Sequence, residues 1–284
     1  MILSDFHTHS SNSGDSDTKM QLQIESAINK GIRHLCITEH MDMDYPAPPA
    51  GHEDEHCDFY LQYEPYKKEF DEMYEKYCVL NNNTSDKTSD FNLYHGVELG
   101  LQPQISDKNR DFVKGKEFDF IIGSCHLVDG EDPYYPEYYV GKIEENIFRN
   151  YFEYIYRNIC VFDNFDVLGH LDYIVRYGKE KDTHYSYSKY SDEIDTILKT
   201  LIEKGKGIEI NTGGIRNGLK FPNPCPDVLK RYRELGGEII TVGSDAHEPD
   251  IIANNFSIAE QILKDTGFKY YTIFKSRKPE FLKL

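Results

Sequence analysis

Seven short apolar runs recur along this chain, and each ends in a residue able to bind a metal. Residues 2–6 lead into His7-Thr8-His9, 35–38 into Glu39-His40, and 93–97 into Glu98. Residues 118–123 lead through Ser124-Cys125 to His126, and 167–169 end at His170. Residues 207–210 run into Asn211-Thr212-Gly213-Gly214-Ile215-Arg216, and 239–244 end at Asp245-Ala246-His247. Ligand-type residues after nearly every strand imply that the strand ends converge on one metal-dependent site.

Between the runs lie helical patterns. Leu22, Ile24, Ala27 and Ile28 predict a helix over 20–29 that ends at Gly31. Further helices are expected over 59–78, 107–114, 140–159, 191–204, 227–235 and 250–265, with a last extended segment at 270–274. Residues 80–92 lack apolar periodicity and read as a polar surface insert. Strand and helix in alternation imply parallel strands joined by right-handed crossovers. An open sheet binds ligands at one switch point, whereas a barrel recruits residues from many strand ends. The expected fold is α/β, a distorted (β/α)7 TIM-like barrel filling 1–284 as one domain.

Composition narrows the function. The 284 residues are 39% hydrophobic, enough for a large core, and carry a formal net charge of -17. So acidic a surface repels a long phosphate backbone, which argues against nucleic-acid polymers as partners. A small anionic substrate can still reach a cationic site. The six cysteines include no Cys-x-x-Cys pair and read as free thiols. No signal pattern opens the sequence and no apolar stretch approaches the ~20 residues that span a bilayer. A cytoplasmic protein without membrane partners is expected; oligomeric state cannot be read from these residues.

His7-x-His9 places two imidazoles on one turn, and Asp245-x-His247 repeats the device near the other end. Glu98, His126 and His170 each follow an apolar strand, where an unpaired polar group is costly. His34 and His95 fall inside strands and read as core; Cys125 reads as packing. His184 lies in a Tyr/Ser-rich loop, and His52, His56 and Cys57 lie in a polar one that reads as shaping the pocket mouth.

In order, His7-Thr8-His9, Thr38-Glu39-His40, Gly96-Val97-Glu98, Gly123-Ser124-Cys125-His126, Gly169-His170-Leu171-Asp172 and Ser244-Asp245-Ala246-His247 resemble the motifs of the PHP (polymerase and histidinol phosphatase) family. Within it the run from Glu209 to Arg216, the run from His170 to Arg176 and the ending at 268–279 are most similar to the histidinol-phosphate phosphatases. The resemblance implies a hydrolase of histidine biosynthesis, a histidinol-phosphatase that splits a small phosphomonoester, with nucleotide esters as the alternative. It also implies three divalent cations (zinc, manganese or iron). One is held by His7, His9, Glu98 and Asp245, a second by Glu98, His126 and His170, and a third by His40, His247 and Asp15 or Asp17. Such ions make water nucleophilic near neutral pH. Arg176 and Arg216 are expected to bind the phosphate. The proton for the leaving oxygen is expected from Asp245 or from a water. Asp42, Asp44 and Glu131 are candidates for recognising a cationic amino alcohol.

Overall fold

Parallel barrel strands are covered on both faces, so they read as continuous apolar runs rather than alternating ones. In the computed structural model those runs are β1 (Ser4–Asp5), β2 (His34–Met41), β3 (Asn92–Gly100), β4 (Phe120–Ser124), β5 (Val167–Leu168), β6 (Gly207–Asn211) and β7 (Ile240–Gly243). Residues 1–55, 57–79, 90–183 and 185–284 are described. His56, His184 and the 80–89 part of the polar insert lie outside the described residues.

The strands pair in parallel in chain order, β1 to β7. The barrel then closes through its ligand-bearing segments. Phe6 N donates to Val242 O, Asp245 N to His7 O, and His9 N to Ala246 O, each at 2.9 Å. Residues 7–9 and 245–247 therefore form the seam itself, which is why the two ends of the sequence share one site.

Outside lie α1 (Met20–Asn29), α2 (Tyr63–Tyr74), α3 (Ser106–Val113), α4 (Glu144–Val161), α5 (Ser191–Glu203), α7 (Pro226–Glu234) and α8 (Phe256–Asp265), while the short α6 (Gly213–Arg216) follows β6 at the mouth of the barrel. Their apolar stripes face the barrel; α5 buries Ile194, Ile197, Leu198 and Leu201 at helical spacing. An antiparallel hairpin, β8 (Tyr270–Lys275) and β9 (Lys278–Lys283), follows. Its turn seals the N-terminal end of the barrel: Ser276 N donates to Asp119 Oδ1 at 2.9 Å, Arg277 pairs with Asp166, and Phe274 stacks on Phe120.

The expected 250–265 helix is broken. A 3-10 turn at Pro249–Ile251 precedes α8, and Ala253 and Asn255 between them adopt left-handed φ of 55° and 61°. The 59–78 helix is also shorter, beginning at Tyr63 and giving way to a π turn at Glu75–Val79. His95 is a core residue as expected, packed on Tyr66, Phe70 and Phe118, whereas His34 is only half-buried, against Tyr94.

Candidate metal centre

His40 and Glu98 are register partners on β2 and β3, so two strands deliver donor atoms at one level of the barrel mouth. Glu98 is fully buried and is the hub. Its Oε1 lies 2.9 Å from His170 Nε2 and 3.1 Å from His126 Nε2. Its Oε2 lies 3.0 Å from His7 Nε2, 3.0 Å from His40 Nδ1 and 3.5 Å from His9 Nε2. Burial alone would raise the pKa of this carboxyl, but His7, His126 and His40 outweigh it and hold it well below its ordinary value.

Four trios of buried or half-buried side chains have donor atoms within 4.8 Å of one another: His9, His40 and His247; His7, His9 and Glu98; His40, Asp42 and His126; Glu98, His126 and His170. Asp245 and Asp15 border them. Asp245 Oδ1 lies 3.6 Å from His9 Nε2 and 3.8 Å from His7 Nε2. Asp15 Oδ2 lies 3.1 Å from His247 Nε2 and 3.5 Å from His40 Nε2; among the described residues neither Asp15 nor Asp17 belongs to one of the four trios. His9 sits between His40 and His247, with ring centroids at 4.2 and 4.3 Å. Burial and these two neighbours hold its pKa well below the usual imidazole value, so it stays neutral.

The donor set suits divalent cations. His7 Nε2, His9 Nε2, His40 Nδ1 and Glu98 Oε2 are buried and have no hydrogen-bond partner among the described residues. Native interiors rarely leave such atoms unpaired. They face one another as ligands around shared ions do, and mixed imidazole and carboxylate donors suit zinc, manganese or iron.

Two further carboxylates orient the histidines. Glu209 accepts from His7 Nδ1 at 2.7 Å, and Asp42 accepts from His126 Nδ1 at 2.8 Å. An ionised carboxylate only accepts, so each Nδ1 carries the proton. Burial disfavours charge on His126, but Asp42 and Glu98 raise its pKa to about 10. Two glycines make these contacts possible: a Cβ at Gly243 would meet Glu209 Oε1 at 2.2 Å, and one at Gly100 would meet Asp42 Oδ1 at 2.1 Å.

The expected arginines stand at the same mouth. Arg176 is buried, with Nε donating to Asn223 Oδ1 (2.8 Å), Nη2 to Asn211 Oδ1 (3.0 Å) and Nη1 to Asp245 Oδ2 (3.1 Å). Arg216 donates to the carbonyls of Ser244 (3.0 Å) and Asp245 (2.8 Å), bracing the left-handed backbone at Asp245, whose φ is 57°. Both line a cavity of about 180 Å³ with His40, His126, Asp245 and His247. It adjoins a chamber of about 380 Å³ walled by Tyr45, Phe59, Tyr134, Tyr135 and Tyr177, with Asp132 among them.

Of the three acids expected to read a cationic substrate, Asp42 lines the cavity beside the arginines and is committed to His126, while Asp44 pairs with Lys108 and Glu131 with Lys142 at 3.0 Å. The acids that line the chamber are Asp15, Glu55 and Asp132; of these, Asp132 accepts from Tyr45 Oη through Oδ2 at 2.6 Å. Burial raises its pKa. Among the described residues neither His52 nor Cys57 belongs to a metal-capable group. Sequence reasoning missed Glu209, although an acid between two buried isoleucines of a strand was there to be noticed.

The PHP domain family matches residues 5–213, most of the length. The chain belongs to the PHP domain family. Its barrel is the distorted (β/α)7 form with the donor clusters at the C-terminal strand ends. A probable histidinol-phosphatase of Clostridium acetobutylicum is 32% identical to this PHP chain, over 93% of it and 94% of the relative. A histidinol-phosphatase of Lactococcus lactis is 28% identical over 96% and 95%. A crystal structure of histidinol phosphate phosphatase from Lactococcus lactis, complexed with zinc, L-histidinol and phosphate, matches with a TM-score of 0.83, 26% identity and 98% coverage of both chains. No helix among the described residues is long and apolar enough to cross a membrane.

Proposed function

We propose that this protein is a histidinol-phosphatase: it hydrolyses L-histidinol phosphate to L-histidinol and phosphate in histidine biosynthesis. The observation that carries the reading is the union of two compartments, a histidine–carboxylate cluster with two arginines opening into an aromatic chamber with acids on its wall. The Lactococcus lactis enzyme holding zinc, L-histidinol and phosphate supports it across the whole barrel.

Three divalent cations fit the donors. His7, His9, Glu98 and Asp245 would hold one; Glu98, His126 and His170 a second; His40, His247 and Asp15 a third. Cations there supply a nucleophile from water at neutral pH and offset phosphoryl charge. The chain's own groups do the rest. Arg176, anchored on three sides, lines the cavity and has N–H groups left over for phosphate oxygens. Arg216 adds positive charge beside it. The tyrosine rings and Phe59 enclose the flat imidazole of the leaving group, and Asp132 takes its cationic end. None of the six cysteines is joined in a disulfide, which fits a cytoplasmic setting.

Phosphate release tests the proposal. L-histidinol phosphate should turn over much faster than uncharged alkyl phosphates or mononucleotides, and chelator should abolish turnover. Equal rates on all esters would contradict the substrate assignment and leave the phosphatase standing.

A further inference from the structure

Ser13 stands where three groups of the metal centre meet. Its Oγ lies 2.6 Å from Glu39 Oε2, 3.0 Å from the backbone N of His40 and 3.1 Å from His9 Nδ1. A serine hydroxyl has one proton and two lone pairs, so these three partners exhaust it. The His40 N–H can only donate and takes one lone pair. Glu39 also receives Ser10 N at 3.0 Å and the Ser10 hydroxyl, which marks it as the terminal acceptor of the chain. The Ser13 proton therefore goes to Glu39, and the remaining lone pair accepts from His9 Nδ1–H.

The proton on His9 is thereby assigned, and Nε2 keeps a bare lone pair. That nitrogen is the one turned to the cluster, 3.5 Å from Glu98 Oε2 and 3.6 Å from Asp245 Oδ1. Ser10, Ser13, Glu39 and His9 are all buried, so bulk water does not compete for these bonds. Glu39 does through Ser13 what Glu209 does directly to His7 and Asp42 to His126.

We propose that Glu39 is a positioning residue of the metal centre: acting through the Ser13 hydroxyl, it fixes His9 with its proton on Nδ1 and prepares Nε2 to hold a cation. The same bonds tie down the loop that brings Asp15 to His40 and His247. The inference rests on reading the cluster as a cation site.

Ser13→Ala breaks the relay and leaves Glu39 in place. Glu39→Gln can still present a carbonyl oxygen to Ser13 and keeps the proton order; Glu39→Leu cannot. Zinc affinity of metal-free protein, measured against a competing chelator, should fall about 10–100-fold for at least one ion in S13A and E39L, and by less than about threefold in E39Q. Side-chain 15N spectra of metal-free S13A should show one imidazole losing its fixed Nδ1–H form. If E39L does not fold, S13A and E39Q decide alone. Wild-type affinity and unchanged imidazole spectra in S13A would overturn the relay, as would a loss in E39Q as large as in S13A. A wild-type chain that binds no zinc would instead overturn the cation-site reading, and the relay with it.

Discussion

Glu209 reaches across the barrel to His7, and its Oε1 lies 2.7 Å from the histidine Nδ1 although 202 positions separate them. The other carboxylate oxygen accepts from the backbone N of His170 at 3.0 Å. One side chain thus orients a ligand from the β1 end and the loop that carries another. Glu209→Gln should weaken metal binding about 10–100-fold with little change in metal-free stability, read by chelator competition and by melting. Gly243→Ala should do more, because its methyl would sit on Glu209 and on His7 Cβ, 2.4 Å away. A stability loss of roughly 1–3 kcal/mol is expected along with the metal defect.

Arg176 tests the phosphate contact. Lysine cannot reproduce a guanidinium held at Nε, Nη1 and Nη2 by three different residues. Arg176→Lys should lower kcat/KM by about 10²-fold or more. Arg216→Ala should raise KM for the phosphorylated substrate; steady-state kinetics that match the wild type in either variant would remove that residue from phosphate binding.

Asp132 tests substrate choice. Asp132→Asn keeps the hydrogen bond from Tyr45 and removes the charge. KM for L-histidinol phosphate should rise roughly 10–100-fold, the worth of a hydrogen bond to a charged group, while an uncharged ester is affected little. An equal change for both esters would show that the acid shapes the chamber without reading charge.

His95 lies away from the chemistry and reports on stability. Burial lowers its pKa from 6.5 to about 4. The folded pKa is depressed, so its contribution is intact above pH 6.5 and is lost as pH falls toward 4, where the unfolded chain takes up the proton first. Between pH 7 and pH 5 the wild type should lose about 2 kcal/mol more than His95→Phe, measured from urea unfolding. Parallel pH profiles would show that His95 is not the titrating group.

The ligands were legible because metal sites draw on few residue types and because barrel strands end them at one mouth. Their exact setting was not. Strands expected to stop before the ligands run on through them: β2 continues to Met41 and β3 to Gly100, since His40 pairs with Glu98 and Met41 with Leu99. β9 escaped notice because its residues are mostly exposed and include Pro279, leaving no two-residue alternation to read. Glu39 was visible only as the neighbour of His40; nothing in spacing says that it acts through Ser13, which depends on a loop bringing a hydroxyl within 2.6 Å. Asp132, rather than its neighbour Glu131, faces the chamber for a similar reason. A loop's direction is set by contacts such as Tyr45 on Asp132, not by local pattern.

Metal removal and restoration bear most directly on the account. Purified protein stripped with chelator should release no phosphate from L-histidinol phosphate, and reloading with zinc or manganese should restore turnover in the wild type but not in Glu98→Gln, whose hub carboxylate is gone. Turnover that survives complete stripping, or an E98Q protein as active as the wild type after reloading, would contradict a cation cluster centred on Glu98 as the seat of the chemistry.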